Sequence, residues 1–206
     1  MTAGCRVAPV QPPPRSADGR PRRIVSLNPC LDVILVQVAD RAQIGALSHY
    51  ARQPYGSTIA DVARTLPSTY GTTEEVMALQ PDLVITSRYG APAMRSALAR
   101  LKIPTALFDV PNTVTDSLAQ VREVARLTGY PERGDALVAR IEAALAAAAP
   151  APGTRRRSAL VFMPGGFVSG PGTLMDEMMT LAGLHNAAPD YGLTASGNLP
   201  LERLIA

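Results

Sequence analysis

The chain has 206 residues, of which 47% are hydrophobic and 18% are charged, a composition typical of a folded globular protein. Its net charge of +3 is scattered along the chain rather than gathered with stacking aromatics in a recognisable module, which argues against nucleic-acid binding. No run reaches the ~18 consecutive apolar residues of a membrane span, and Cys5 and Cys30 have neither a disulfide framework nor metal-ligand spacing.

The first 22 residues are rich in Pro, Arg and Gly and lack the apolar core of a signal peptide. We therefore predict a disordered leader over residues 1–22. Thr2-Ala3-Gly4-Cys5 ends like the cleavage box of a bacterial lipoprotein, although that box usually has Leu where Thr2 stands. A chance Gly-Cys pair is the favoured interpretation, and the remnant of an export signal with a lipid anchor at Cys5 is the alternative.

From Arg23 onward, short apolar runs alternate with helical patterns. Strands are predicted at 24–27, 46–47, 83–86 and within 103–110, and helices at 31–38, from Thr72, and at 93–101. This alternation favours a parallel sheet covered by helices, forming an N-terminal α/β lobe over residues 23–110. The spacing of Thr72 and Glu75 further predicts a capping box in which the Glu75 carboxylate accepts from the Thr72 amide.

The longest helical pattern follows this lobe. Val114, Leu118, Val121 and Ala125 form one stripe of an amphipathic helix. Gly129-Tyr130-Pro131 is expected to stop or kink it, and the pattern then resumes as far as Ala149. We predict a long connector helix over residues 111–150. A strand at 159–163, a helix at 174–182 and a polar loop at 185–198 then predict a partial C-terminal α/β lobe over residues 155–206.

Three segments carry a family resemblance: Arg23–Pro29, Glu74–Ile85 and Leu181–Asn186. They resemble the periplasmic binding proteins of iron-siderophore, haem and vitamin B12 importers, and the resemblance extends from about Arg22 to the last residue. The middle segment is the most specific, because a helix of the form Glu-x-x-x-x-Leu-x-Pro-Asp-Leu-Val that runs into a strand recurs in that family.

The resemblance implies a fold and a function. The fold is two α/β lobes with parallel sheets flanked by helices, joined by a long connector helix, with the ligand in a cleft between the lobes. The function is reversible capture of a ferric siderophore, haem or cobalamin and its delivery to an ABC permease with its ATPase subunits. A periplasmic monomer that is not an enzyme and needs no cofactor is expected, and its export signal is not present in this chain.

The resemblance also implies that one surface carboxylate on each lobe docks onto the permease. The residues that match are Glu74 in the first lobe and Glu202 in the second, each at the start of a helix. The alternative interpretation is that a Glu in a first helical turn is favoured by the helix dipole, by about 0.3–1 kcal/mol.

The chain departs from the family at its end. Family members have a further strand and other elements after the helix that contains Glu202, whereas this sequence ends at Ala206. The second lobe is therefore predicted to be incomplete. An inactive or cytoplasmic fragment of a binding protein stays open as an alternative function.

Ligands of open α/β sheets bind beyond the carboxyl ends of the strands. Tyr and Phe can stack on a macrocycle or a catecholate, and Arg can pair with an anionic chelate. For each single aromatic, a half-buried loop anchor is the alternative. The candidate ligand-binding residues are Pro29, Cys30, Tyr50, Arg88 and Tyr89 in the first lobe and Phe167 and Tyr191 in the second.

Two other functions receive less support from the sequence. His49 and His185 lack a partner at ligand spacing, so no metal site is predicted. The Gly165–Gly172 stretch is only loosely similar to a phosphate loop, because it has neither Lys-Ser/Thr nor G-x-G-x-x-G. A nucleotide-binding α/β enzyme is thus the least favoured alternative.

Overall fold

A computed structural model of the chain describes residues 18–205. Cys5, for which lipid attachment is the alternative interpretation, and most of the predicted leader lie outside the described residues. The chain divides into two compact units. Unit 1 is formed by residues up to Asp109 together with Glu123–Gly134, and unit 2 by Val110–Arg122 together with residues from Asp135 onward.

Unit 1 is built on a parallel five-stranded sheet. Its strands are β1 (Ile24–Ser26), β2 (Ile44–Ser48), β3 (Ser68–Thr69), β4 (Leu83–Ser87) and β5 (Thr105–Phe108). Its complete helices are α1 (Pro29–Val38), α2 (Ala60–Ala63), α3 (Thr73–Ala78) and α4 (Pro92–Arg100), with single 3-10 turns at Arg41–Gln43 and His49–Arg52.

The strand order is β3-β2-β1-β4-β5, and every pair is parallel. All five strands therefore end at the same edge, here called the carboxyl edge, and begin at the opposite amino edge. The order reverses between β1 and β4, which is the position where open α/β sheets bind ligands. The predicted parallel α/β fold is confirmed for this unit.

Apolar side chains fix the helices to the sheet. Val76 of α3 and Leu98 of α4 pack with Val25 and Val84 of the two central strands, and all four are essentially inaccessible to solvent. Helix α1 contacts β1 and β2, and it buries its apolar stripe, which includes Leu35. Each fully buried aliphatic side chain contributes about 1.5–3 kcal/mol, so this core positions the loops that follow the strands.

Hydrogen bonds hold the backbone of residues 21–23 at the amino edge of the sheet. Asp82, at the amino edge, is buried and accepts from the backbone N–H groups of Arg22 at 2.6 Å and Arg23 at 2.8 Å. The Pro21 carbonyl accepts from the side chain of Gln43 at 2.8 Å. Residues 21 and 22, which were predicted to be part of the leader, therefore belong to the packed structure, because hydrogen bonds to distant residues fix their backbone.

The predicted connector segment contains two helices, α5 (Val114–Thr128) and α6 (Pro131–Ala148). The interruption predicted at Gly129-Tyr130-Pro131 is confirmed. Gly129 has φ +86°, and a Cβ at this position would lie 2.6 Å from the Arg20 side chain, so both backbone conformation and space require glycine. Each of these helices contributes residues to both units.

Tyr130 fixes this interruption to unit 1. Its ring lies between the guanidinium groups of Arg20 and Arg133, at 4.3 and 3.8 Å from the ring centroid. Its hydroxyl donates to Asp40, which also accepts from Arg133 at 2.8 Å. These bonds hold the pKa of Asp40 below its usual value, the hydrogen bond from Tyr130 contributing most. Asp40 precedes β2, so this anchor lies at the amino edge.

Unit 2 has smaller sheets and a smaller buried core than unit 1. Its strands are β6 (Arg157–Ala159), β7 (Phe167–Val168), β8 (Leu184–Asn186) and β9 (Gly197–Asn198), and its complete helices are α7 (Leu174–Leu181) and α8 (Leu201–Ile205). β6 pairs with β8 in parallel, and β7 pairs with β9 antiparallel. Val168, Ala188 and Leu199 form a small buried cluster.

Two predictions in this unit need correction. The strand predicted at 159–163 ends at Ala159 instead. The predicted polar loop at 185–198 contains part of β8, a 3-10 turn at Ala188–Tyr191 and β9. Pairing with β6 and hydrogen bonds from the Asn186 side chain stabilise β8, and such partners override the weak strand propensity of a polar sequence.

Within residues 18–205, none of the helices combines the length and the apolar character that crossing a membrane requires.

Candidate functional site

The carboxyl edge of the unit 1 sheet gathers most of the predicted ligand residues. In spatial order across the sheet, the strands are followed by Tyr70 after β3, His49 and Tyr50 after β2, Pro29 and Cys30 after β1, Arg88 and Tyr89 after β4, and Asp109 after β5. Each of these side chains is at least partly exposed. The parallel topology therefore assembles at one edge residues that lie up to 80 positions apart in the chain.

Three aromatic side chains at this edge contact one another and are here called the aromatic cluster: His49, Tyr50 and Tyr70. The His49 ring lies 3.9 Å from that of Tyr50, centroid to centroid, and 4.7 Å from that of Tyr70, to which it is nearly parallel. Tyr50 is 50% exposed and Tyr70 75%. Aromatic rings that are held together and remain partly exposed offer a stacking surface for a flat ligand.

A buried carboxylate holds the backbone beneath Tyr50. Asp32, in the first turn of α1, is inaccessible to solvent and accepts from the Ser48 amide at 3.2 Å and from the Ser48 hydroxyl at 2.5 Å. Burial raises the pKa of Asp32 from 3.8 to about 6, opposed by hydrogen bonds from Ser26 and Ser48. Since Ser48 is the last residue of β2, Asp32 fixes the strand end from which His49 and Tyr50 project.

A second carboxylate holds the backbone at Tyr70. Glu75 accepts from the Thr69 hydroxyl at 2.6 Å and from the Tyr70 amide at 2.7 Å. These bonds, that from Thr69 first, keep the pKa of Glu75 below its usual value. Thr72 caps α3 as predicted, accepting from the Glu75 amide at 3.2 Å. The predicted return bond from the Thr72 amide to Glu75 is wrong, because the loop after β3 places closer donors in front of this carboxylate.

The strand ends at the centre of the sheet expose polar and apolar groups side by side. Asn28 caps α1 by accepting from the Cys30 amide at 2.8 Å, which leaves Pro29 and Cys30 exposed at the start of the helix. Arg88 donates to Asp109 at 2.8 Å, and this bond raises the pKa of the guanidinium. An anionic ligand at Arg88 would therefore share the guanidinium with Asp109.

The predicted ligand residues of unit 2 differ in exposure. Phe167 of β7 is 39% exposed. Tyr191 is half-buried and packs against the cluster of Val168, Ala188 and Leu199, as the alternative interpretation of a loop anchor describes. A ligand-binding role for either residue stays a prediction.

The two predicted docking residues lie in first helical turns. Glu74 is exposed at the start of α3, directly after the carboxyl edge. Glu202 is exposed at the start of α8 in unit 2. Both are accessible to a partner, although both positions also suit the helix dipole.

Tyr70 and Tyr55 are not among the predicted ligand residues. Tyr55 is fully exposed in the loop after the 3-10 turn His49–Arg52. Tyr70 was missed because β3 has only two residues, Ser68 and Thr69, and lacks an apolar pattern. The capping position at Thr72 was the available signal, since a strand end commonly precedes a capped helix in α/β units.

No group of three or more His, Cys, Asp or Glu side chains in the part of the chain that the structure describes is arranged to hold a metal ion.

Comparison with known proteins decides the family. Residues 24–206 match the sequence family of periplasmic binding proteins. The chain belongs to this family. The resemblance predicted from the three sequence segments is thereby confirmed.

Two curated proteins to which the chain is similar are cobalamin-binding proteins from two strains of Halobacterium salinarum. Each is 27% identical to this chain over 183 residues, which are 87% of this chain and 49% of the relative. The chain thus spans about half the length of the curated relatives it matches.

Solved structures of periplasmic binding proteins share the fold. The haem-binding protein RhuT of Roseiflexus sp. RS-1, in apo form, has a TM-score of 0.72 and 27% identity, covering 89% of this chain and 72% of that one. The vitamin B12-binding protein BtuF of Vibrio cholerae has a TM-score of 0.65 and 20% identity, covering 90% and 73%. The α/β fold predicted from the sequence is therefore confirmed.

Proposed function

We propose that the chain is the solute-binding subunit of an ABC importer that captures an iron chelate, either a ferric siderophore or haem, or cobalamin. The aromatic cluster at the carboxyl edge of a family member is the observation that carries the proposal. It presents exposed rings where α/β sheets bind ligands, and the candidate ligands have broad faces for such rings to contact. The curated cobalamin-binding relatives and the haem-binding structural relative support this ligand class.

The site supports binding rather than chemistry. Its loops are held in advance by Asp32 and Glu75, so little conformational freedom remains to be lost when a ligand binds. The family consists of solute-binding proteins, and we propose that this chain releases its ligand unchanged. Pro29, Cys30, Arg88 and Tyr89 complete the proposed contact surface of unit 1, and Phe167 and Tyr191 are the proposed contacts of unit 2.

Delivery requires a docking surface for the permease. We propose Glu74 and Glu202 for this role, since both are exposed and each belongs to a different unit. The exposed carboxylates would pair with basic side chains of the permease. Periplasmic location, shared with the structural relatives by their names, is part of the proposal, and fractionation of cells that express the intact gene tests it.

The ligand proposal is tested by thermal unfolding in the presence of cyanocobalamin, haemin, and ferric hydroxamate and catecholate chelates. A ligand at 100 times its dissociation constant stabilises the native state by about 2.7 kcal/mol. A clear rise in the midpoint with one compound is expected. A cooperative transition that none of the four compounds moves would reject this ligand class.

A further inference from the structure

Two aspartates are buried among residues 18–205, Asp32 and Asp82, and they lie at opposite edges of the same sheet. Asp82 holds backbone amides of Arg22 and Arg23 at the amino edge. Asp32 instead holds Ser48, the residue that directly precedes His49 and Tyr50 of the aromatic cluster. The two therefore have the same chemistry, and only one of them contacts the proposed ligand loops.

The placement of Asp32 is costly for a residue with a purely structural task. Removing a carboxylate from water without a basic partner is unfavourable. The raised pKa of Asp32 results from burial, opposed by the hydrogen bonds from Ser26 and Ser48, and no charged group contributes to it. A hydroxyl or amide side chain could accept one of the two Ser48 hydrogens without that cost, whereas the carboxylate accepts both. Buried acids kept under such conditions concentrate at functional sites.

The contacts of Asp32 reach the ligand loop by a short path. The carboxylate accepts both hydrogens that Ser48 offers, those of the amide and the hydroxyl. The 3-10 turn His49–Arg52 begins at the next residue and is closed by the bond from the Gln53 amide to the Tyr50 carbonyl at 3.1 Å. A change at Asp32 would therefore alter the direction in which this turn presents His49 and Tyr50.

We propose that Asp32 is a positioning residue for ligand binding: by holding Ser48, its carboxylate sets the orientation of the turn that carries His49 and Tyr50. The inference rests on the proposed function, since it assigns the residue that aims part of the proposed contact surface. Asp32 itself does not touch the ligand.

A pH dependence follows from these contacts. The ionised carboxylate accepts from both Ser48 donors, whereas the protonated form carries a hydrogen of its own and supplies a weaker acceptor to at least one of them. The polar groups that act on Asp32 are the Ser26 hydroxyl on β1 and the Ser48 hydroxyl and amide on β2. Two further side chains with ionisable groups lie next to these residues in sequence: Cys30, two positions before Asp32, and His49, directly after Ser48. Ligand affinity should fall as the pH drops through about 6.

The first test compares Asp32→Asn with its matched control Asp82→Asn. Ligand affinity is measured by titration calorimetry between about pH 5 and pH 8, at a temperature where all variants are folded. The ligand is whichever of cyanocobalamin, haemin and the two ferric chelates binds the wild type. We expect Asp32→Asn to bind about tenfold more weakly at the upper pH and to lose the pH dependence. Asp82→Asn should keep both the affinity and the pH dependence of the wild type.

His49 directly follows Ser48 and belongs to the aromatic cluster, so a third variant is needed to separate its contribution from that of Asp32. His49→Gln should retain the change in affinity near pH 6, whatever its absolute affinity, because Asp32 is intact. If the pH dependence disappears in His49→Gln and survives in Asp32→Asn, the proposal is overturned. Equal affinities for Asp32→Asn and wild type over the whole range would overturn it as well.

A readout without ligand separates this proposal from the proposed function. Fluorotyrosine incorporated into the chain gives a resonance for Tyr50, identified by its loss in Tyr50→Phe. In a His49→Gln background, the Tyr50 resonance should shift as the pH crosses about 6, and Asp32→Asn should abolish that shift. If the Tyr50 resonance behaves in this way but none of the four compounds binds, the proposed ligands are rejected and Asp32 is retained as the residue that positions the turn. A Tyr50 resonance that does not respond would reject the positioning role itself.

Discussion

The two edges of the unit 1 sheet carry similar residues in different surroundings. At the amino edge, Tyr130 is enclosed by Arg20 and Arg133 and donates to Asp40. At the carboxyl edge, Tyr50 and Tyr70 contact His49 and leave much of their rings exposed. An aromatic ring whose faces and hydroxyl are occupied stabilises the fold, whereas exposed rings held in place are available to a ligand.

The buried aspartates show the same difference. Asp82 ties the backbone of Arg22 and Arg23 to the sheet, and Asp32 ties the end of β2, which precedes His49 and Tyr50, to α1. Substitutions at the amino edge should therefore lower stability and leave ligand affinity unchanged, whereas substitutions at the carboxyl edge should lower ligand affinity without lowering stability. The predictions for Asp82, Asp32 and Tyr130 test that division.

The largest expected change in the free energy of unfolding is at the amino edge. Asp82→Ala leaves the amides of Arg22 and Arg23 without their acceptor, at about 2 kcal/mol for each donor. We expect the free energy of unfolding to fall by about 4 kcal/mol, measured by urea denaturation. Ligand affinity of the folded fraction should not change, and a selective loss of affinity would contradict the division between the edges.

The next effect is a gain in stability at the carboxyl edge. The folded pKa of Asp32 is raised from 3.8 to about 6, so between these values the folded state binds more protons than the unfolded one and stability falls as the pH rises. The difference amounts to roughly 3 kcal/mol above pH 6. Asp32→Asn should therefore be more stable than wild type at pH 8, by up to that amount, and nearly equal at pH 4.

Urea denaturation at both pH values checks this prediction. A variant that gains stability while it loses ligand affinity would show that the carboxylate is retained for binding. Lower stability of Asp32→Asn at pH 8 would mean that the Ser48 bonds stabilise the fold more than burial of the charge destabilises it.

A smaller effect is expected at Tyr130. Tyr130→Phe keeps the ring between Arg20 and Arg133 and removes the hydroxyl that donates to Asp40. The loss of this hydrogen bond lowers stability only modestly, because Asp40 keeps its bond from Arg133 and water can reach the carboxylate. Thermal unfolding should show a corresponding decrease, with no change in the affinity for any ligand, since this ring is at the edge remote from the proposed site.

The smallest effect on the isolated protein is expected at Glu74. Glu74→Lys, at an exposed position in the first turn of α3, should change stability by less than about 1 kcal/mol and leave ligand affinity unaltered. Transport by a reconstituted permease should nevertheless fall sharply, because the docking carboxylate is reversed in charge. Glu132→Lys, an exposed Glu in the first turn of α6, is the matched control and should transport normally.

Much of unit 1 could be predicted from its sequence. The apolar runs at β1 and β4, the cap at Thr72 and the interruption at Gly129 are local patterns, and the structure confirms each of them. The carboxyl-edge residues Tyr50, Arg88 and Tyr89 could be selected because each directly follows a strand or its turn.

The remaining features depend on partners distant in sequence. An Asp in a first helical turn is usually exposed, and only the position of Ser48 on another strand shows that Asp32 is buried. The two-residue strand β3 forms by pairing with β2, so Tyr70 gave no sign of lying beside His49. In unit 2, β8 likewise depends on pairing with β6.

Binding of the ligand by the aromatic cluster is tested by titration calorimetry of Tyr50→Ala, Tyr70→Ala and Tyr130→Phe. Stacking on one ring contributes about 1 kcal/mol beyond the buried area, and the area lost with it adds a similar amount. We expect each cluster variant to bind the ligand at least about tenfold more weakly with near wild-type stability, while Tyr130→Phe binds normally. Unchanged affinity in both cluster variants would contradict it.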